Sequence, residues 1–381
     1  MYPLSMVTRA GGQDLSPVDE GERRALGVGV RGRRPFVVEL LSFLAVAIGY
    51  LLLLPAIAWY PAYLSLGDSY WWMFVINSVA PFLFLPVPLV FVLALINRRW
   101  ALLVAALVPT VVFVMLFGQL FVPPSIKAPT VDAAAPSLTL LSYNLHAWNE
   151  DADGIAEALL ASGADVIALQ ELAPEMAEAL RVRLGDQFPY QDLVLRDGWG
   201  GLGVFSRVPV SPVSQRVGST GVRNPQVTTL HLDWGDTTLI NVHNLSIPRT
   251  LPDWPTEITN SIRQRERVSN AIIEFSRQED AGPVIAAGDF NTTSRSTAYE
   301  TVASGLTDSW TEAGFGFGTT FPGGPFSPTP LDFSVPDWLL RIDYVFHSSE
   351  IVATEARIGP WDGVSDHRPV RVDLAWPDAN L

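Results

Sequence analysis

Three long apolar stretches lie before residue 125, and they constrain the fold of this chain more than any other feature. They cover about residues 37–60, 71–96 and 101–122. At a helical rise of about 1.5 Å per residue, each is long enough to cross the ~30 Å hydrocarbon core of a bilayer. We therefore expect three transmembrane helices within residues 36–122. The alternative is a buried helical hairpin of a soluble domain, whereas a cleaved signal peptide fits poorly because two further stretches follow the first.

The arginines around these stretches indicate how the chain would be oriented. Five arginines lie shortly before the first stretch, and Arg98 and Arg99 separate the second stretch from the third. The loop at residues 61–70 carries no lysine or arginine. Because short cytoplasmic loops are enriched in positive charge, the polar N-terminal residues 1–35 are expected in the cytoplasm. Three crossings of the cell membrane would then place every residue after Val122 on its outer side.

The rest of the chain has a different composition. Residues 123–136, rich in Pro and Ala, are expected to form a linker to a domain at residues 137–381. Residues 126–381 contain 17 Lys and Arg against 33 Asp and Glu, a net charge of −16. Nucleic-acid-binding proteins usually carry a basic surface, so this acidity favours another class of partner. The chain has no Cys, which excludes disulfides and thiolate metal sites.

Alternating patterns predict a mixture of strands and helices in this domain. Helices are predicted at residues 153–162, 174–184 and 257–277. Strands are predicted at residues 137–144, 165–169, 201–206, 228–232, 238–243, 283–287, 342–347 and 370–374. Such a mixture over roughly 240 residues indicates an α/β sandwich.

Short polar motifs follow several of these strands. They are Ser142-Tyr143-Asn144, Leu169-Gln170-Glu171, Gly288-Asp289-Phe290-Asn291, Arg341-Ile342-Asp343-Tyr344 and Ser365-Asp366-His367. Carboxylate and amide oxygens are the ligands that a hard cation such as Mg²⁺ prefers. Carboxylates and histidines also supply the acid and base groups for cleaving a phosphate ester. Each motif alone is compatible with an ordinary turn or helix cap, so their joint occurrence carries the prediction.

The order of these motifs resembles the endonuclease/exonuclease/phosphatase superfamily, over about residues 137–376. The resemblance implies a four-layer α/β sandwich, with two mixed β-sheets flanked by helices and a site at one rim. In this chain the sandwich would be preceded by the three transmembrane helices. The resemblance does not extend to the apolar N-terminal part.

The resemblance also implies roles for individual residues. Glu171 would be the principal ligand of Mg²⁺, with Mn²⁺ as a possible substitute, and Asn144 and Asp366 would assist it. Asp289 would orient or deprotonate the attacking water, and Asn291 would hold the phosphate or that nucleophile.

The histidines complete the predicted site. Asp343 would hold His367, whose imidazole would contact the scissile phosphate or act as an acid or base. His243 would bind phosphate or assist the leaving group, with a strand-end structural histidine as the alternative. Arg341 is a further candidate for a phosphate contact, and a salt-bridged structural arginine is its alternative.

These observations predict a membrane-anchored, Mg²⁺-dependent hydrolase of phosphoesters. Membrane attachment and acidity favour a lipid head group or another small phosphoester as substrate. Residues 314–340, rich in Gly, Pro and Phe, are a candidate rim loop able to contact lipid. The alternatives are an extracytoplasmic nuclease and a catalytically inactive, membrane-tethered binding module. The sequence indicates no protein partner.

Overall fold

A computed structural model describes residues 35–214, 217, 224–247, 253–323 and 336–379. The predicted cytoplasmic segment therefore lies almost entirely outside the described residues, as does the middle of the candidate rim loop. The helices are α1 Phe36–Leu66, α2 Trp71–Ser78, α3 Val87–Ile96, α4 Trp100–Phe117, α5 Pro124–Lys127, α6 Ala152–Ala161, α7 Pro174–Leu184, α8 Trp254–Ser276, α9 Thr297–Ala303 and α10 Ser309–Ala313.

The apolar helical region, residues 36–121, follows the prediction with one change. Helix α1 and the helix Trp100–Phe121 are each long and apolar enough to cross a membrane. The predicted second span is instead a pair, Trp71–Ser78 and Ala80–Ile96, bent by 65°. Prolines early in the second helix of the pair explain the break, because proline lacks the backbone N–H that a helix interior requires. Among the described residues there are thus two candidate spans, or three if the bent pair counts as one.

Twelve strands are present in the described part of the domain. They are β1 Ser137–Asn144, β2 Val166–Gln170, β3 Tyr190–Val194, β4 Leu202–Ser206, β5 Val210–Pro212, β6 Gln226–Leu232, β7 Gly235–His243, β8 Val284–Asp289, β9 Thr307–Asp308, β10 Asp343–His347, β11 Val352–Ile358 and β12 Val370–Ala375. Sheet one has the order β11-β12-β1-β2-β4-β3, and sheet two has the order β5-β6-β7-β8-β10-β9. Both are mixed, since β1 and β2 are parallel, β7 and β8 are parallel, and the other neighbours are antiparallel.

The two sheets are covered by helices, which confirms the predicted four-layer sandwich. On sheet one, Leu159 of α6 belongs to the same buried cluster as Ile167 of β2. On sheet two, Ile272 of α8 belongs to a buried cluster with Ala286 of β8. Strands β2 and β8, inside their sheets, are buried on both faces, and their sequences are accordingly nearly continuous apolar runs.

The apolar helical region is packed against the sandwich. The Asp68 carboxylate, between α1 and α2, accepts hydrogen bonds from the backbone N–H of Thr297 at the start of α9 and from Asn77 Nδ2, both at 2.8 Å. The Lys127 ammonium donates to the Thr311 carbonyl of α10 at 2.8 Å. The residues predicted as a linker therefore include one helical turn, α5, that contacts the domain.

Candidate active site

The polar motifs converge where two parallel strand pairs end. Strands β1 and β2 end in sheet one at Asn144 and Gln170, and β7 and β8 end in sheet two at His243 and Asp289, which are paired in register. Gly288 is required here, because a Cβ on it would lie 2.0 Å from the Val242 carbonyl oxygen of β7. The sequence of each strand thus fixes a polar group at one rim of the sandwich.

Asp289 occupies the centre of this rim. Its Oδ2 is 3.0 Å from Asn144 Nδ2, 3.8 Å from His243 Nε2 and 3.9 Å from His367 Nε2. Asn144 Nδ2 also lies 3.4 Å from Glu171 Oε1, and His243 Nε2 lies at the same distance from that oxygen. The structure therefore brings these five predicted residues together around one carboxylate.

Asn291 is held against Asp289 by local geometry. Its backbone N–H donates to Asp289 Oδ1 at 2.8 Å, and its Nδ2 donates to Asp289 Oδ2 at 2.7 Å. The backbone between them is not extended, because Asn291 has a φ of 52°. Asparagine tolerates this left-handed conformation better than most residues. The turn, rather than strand alternation, places the two side chains together.

Asp343 and His367 form the predicted pair. His367 Nδ1 lies 2.9 Å from Asp343 Oδ2, and both side chains are buried. The Phe321 ring lies 4.9 Å from the His367 ring, centre to centre. With Asp289, this pair forms a buried group whose ligand atoms all lie within 4.8 Å of one another.

Burial and neighbouring charges strongly shift the pKa values of three side chains in the site. Burial raises the pKa of Asp289 to about 6, although His367 opposes that rise. Burial also acts to raise the pKa of Glu171, but hydrogen bonding to His243 and the Ala147 N–H lowers it to about 2. Burial acts to lower the pKa of His367, yet Asp343 and Asp289 raise it to about 10. At neutral pH the site therefore contains both a carboxylate at Glu171 and an imidazolium at His367.

The donor set suits a hard divalent cation. Glu171 and Asp289 offer carboxylate oxygens bridged by one amide, and Asp343 adds a third carboxylate. Asp366, predicted as a ligand, is half-buried beside this cluster and contributes to the raised pKa of His367. No thiolate can compete, because the chain has no Cys.

Arg341 was a candidate for a phosphate contact, but the structure pairs it with Asp308 outside the cluster around Asp289. Its buried guanidinium pairs with Asp308, with Nη2 2.9 Å from Oδ2 and Nη1 3.1 Å from Oδ1. Its Cζ also lies 4.7 Å from the centre of the Tyr344 ring. The guanidinium is thus occupied by contacts inside the protein, as expected for a salt-bridged structural arginine.

Asp362 and Ser365 support the site, although the sequence analysis did not name Asp362 and included Ser365 only as part of a motif. The Asp362 carboxylate accepts from the Tyr143 hydroxyl at 2.7 Å and from Asn149 Nδ2 at 2.6 Å. The Ser365 hydroxyl donates to the Asn144 carbonyl at 2.8 Å and accepts from the His367 N–H at 3.1 Å. These bonds tie the loop that carries His367 to the end of β1. Spacing alone could not reveal the bonds to Tyr143, Asn149 and Asn144, because their partners are more than 200 residues away.

This fold and this cluster define a class of enzyme, a hydrolase that acts on phosphoester bonds. Residues 141–367 match the Endonuclease/Exonuclease/phosphatase family, and the chain belongs to that family. A comparison with curated proteins finds no match.

Solved structures with a similar fold share little sequence with this chain. Sphingomyelinase C from Streptomyces griseocarneus is 19% identical, with 62% of this chain and 99% of that chain covered and a TM-score of 0.44. An endonuclease/exonuclease/phosphatase family protein from Bacteroides thetaiotaomicron is 19% identical, with 64% and 98% covered and a TM-score of 0.47. Beta toxin from Staphylococcus aureus is 17% identical, with 62% and 99% covered and a TM-score of 0.43.

Proposed function

We propose that this protein is a membrane-anchored, divalent-metal-dependent hydrolase that cleaves the phosphoester of a lipid head group or of another small molecule. The observation that carries the proposal is the convergence of Glu171, His243, Asp343 and His367 around the buried carboxylate of Asp289. Strongly shifted pKa values, such as those of Asp289, Glu171 and His367, cluster at functional sites.

In the proposed mechanism, Asp289 accepts a proton from the attacking water. Asn291 and Asn144 fix the carboxylate through their amide nitrogens, so that its oxygens keep one direction. A Mg²⁺ ion held by Glu171 with Asn144 and Asp366 would neutralise charge on the phosphoryl oxygens and on the leaving oxygen. No covalent enzyme intermediate is needed.

The two histidines would stabilise the charge that develops on the phosphoryl group. His367 is kept cationic by Asp343, so its Nε2 presents a proton toward the oxygens that gain charge. His243 Nε2 lies between Glu171 Oε1, at 3.4 Å, and Asp289 Oδ2, at 3.8 Å, where it would assist the leaving group.

A lipid substrate is supported by where the apolar helical region meets the sandwich. Ile247, four residues after His243, packs with Phe74 of α2. Thr297, which follows the turn at Asn291, donates to Asp68 between α1 and α2. Both segments that leave the site therefore contact the apolar helical region, one at α2 and the other at the connection between α1 and α2. We accordingly propose residues 36–122 as the anchor, 123–136 as the linker and 137–381 as the catalytic domain on the outer side, with residues 1–35 in the cytoplasm.

Exposed tryptophans beside the site also favour a membrane surface. Trp148 is 65% exposed and Trp199 is 51% exposed, with their ring centres 6.1 Å apart. Trp148 follows Ala147, whose backbone N–H donates to Glu171 Oε2 at 2.9 Å. Tryptophan is enriched at membrane–water interfaces because its ring is amphipathic.

The test is hydrolysis by the purified full-length protein and its Asp289→Asn variant. We expect the substitution to lower phosphoester hydrolysis by about 10²–10⁴-fold, the usual contribution of a general base. Asp192→Asn is the matched control, because Asp192 is also buried but accepts from the Thr228 hydroxyl, away from the cluster. Near-normal turnover by a folded Asp289→Asn protein would refute the mechanism.

A further inference from the structure

Arg265 on α8 is fully buried, which is rare for an arginine. Its Nε and Nη2 both donate to the Leu245 carbonyl, at 3.0 and 2.8 Å. Its Nη1 has no hydrogen-bond partner in the part of the chain that the structure describes. Burial lowers the pKa of Arg265 to about 10, while Asp289 and Asp68 act to raise it. The guanidinium is therefore still a cation at neutral pH.

The face of this guanidinium is covered by the apolar helical region. Arg265 Cζ lies 4.8 Å from the centre of the Phe74 ring on α2. Phe74 is 2% exposed and forms a buried cluster with Ile258 and Ile262 of α8. A desolvated cation over an aromatic face gains more than an exposed one, because water no longer competes for the charge.

The carbonyl that Arg265 binds belongs to the loop that directly follows His243, the last residue of β7. The Leu245 N–H donates to Gln264 Oε1 at 3.3 Å, so α8 holds both backbone groups of this residue. One residue earlier, the Asn244 carbonyl accepts from Asn291 Nδ2 at 3.1 Å. The Asn244 N–H donates to the Asp289 carbonyl at 2.9 Å.

We propose that Arg265 is a positioning residue and that Phe74, from the apolar helical region, holds it in place. Through Leu245 the pair fixes the loop after His243 and, through Asn244, the amide of Asn291. Helix α2 thereby becomes part of the active-site support rather than only an anchor. The expected effect on kcat rests on the proposed function, whereas the expected effect on the loop after His243 does not.

The experiment compares three substitutions in the full-length protein in detergent micelles. Phe74→Leu keeps apolar volume but removes the aromatic face, and Phe74→Tyr keeps the face. Tyr63→Phe is the control, since Tyr63 joins the apolar helical region to Glu300 of α9, away from Leu245. We expect Phe74→Leu to lower kcat by about 3- to 30-fold, the span from an exposed to a desolvated cation–π contact, with KM within about twofold. Phe74→Tyr should restore kcat, and Tyr63→Phe should leave it unchanged.

Hydrogen exchange of residues 244–247 separates this proposal from the proposed function. We expect faster exchange there in Phe74→Leu and wild-type exchange in Phe74→Tyr and Tyr63→Phe, whether or not a substrate has been found. Unchanged exchange in Phe74→Leu would overturn the proposal even if the protein hydrolyses phosphoesters. An equal loss of kcat in Tyr63→Phe would also overturn it, because general docking of the helices would then explain the effect.

Discussion

Replacing Asp343 with Asn tests whether the charge on His367 drives the reaction. Asp343 is the first of the charges that raise the pKa of His367 to about 10. At pH 8 a histidine with that pKa is about 99% protonated. Without the Asp343 charge, even an ordinary pKa of about 6.5 leaves only about 3% protonated, so the active fraction falls about 30-fold. Asparagine retains the size of the side chain and can still bond to His367.

The ratio of wild-type to variant rates, measured from pH 6 to pH 9, is the informative quantity. Asp343 also helps to raise the pKa of Asp289, so the two proteins are compared first at pH 8, well above the Asp289 pKa of about 6. We expect a ratio of about 30 at pH 8 that approaches 1 near pH 6, because the histidine of the variant is then also largely protonated. A ratio that is near 1 at pH 8, or that does not change with pH, would refute the role assigned to the imidazolium.

Three further predictions follow from the structure. Arg341→Met should lower the free energy of unfolding by about 3 kcal/mol, because the buried Asp308 carboxylate loses its cationic partner. Thermal unfolding should show this loss, and the kcat of the folded protein should not change. A loss of kcat without a loss of stability would instead indicate that Arg341 contacts the substrate phosphate. Exhaustive EDTA treatment should abolish hydrolysis and added Mg²⁺ should restore it, so full activity after chelation would contradict the metal role. Protease added to intact cells should cleave beyond Val122, and cleavage only after lysis would reverse the proposed orientation.

The sequence predicted those site residues whose position depends only on their immediate neighbours in the chain. Asn144 and Asp289 are the last residues of apolar strands and Asn291 comes two residues after Asp289, so strand patterns and residue type placed them at strand ends, while their meeting at one rim was implied by the family resemblance. The tight approach of Gly288 to β7 is also implied by its position in a buried strand next to an acid.

The remaining features depend on contacts between distant segments. Arg341 and Asp308 are 33 residues apart, and nothing in the sequence near Arg341 distinguishes an ion pair from a phosphate contact. Phe74 and Arg265 belong to different predicted regions, so only the packing of α2 on α8 joins them. The bend after Ser78 likewise reflects the balance between proline geometry and helix packing, which hydropathy does not measure.

The most direct test of the central claim is a substrate panel with the full-length protein in phospholipid vesicles. The panel comprises sphingomyelin, phosphatidylinositol lipids, inositol phosphates, DNA and RNA, each with Mg²⁺ and each repeated with Asp289→Asn. We predict Mg²⁺-dependent release of a head group from a lipid, or of phosphate from a small phosphoester, that the variant lacks. Cleavage of DNA or RNA alone would contradict the proposed substrate class, and hydrolysis of no phosphoester by the folded protein would contradict the proposed function itself.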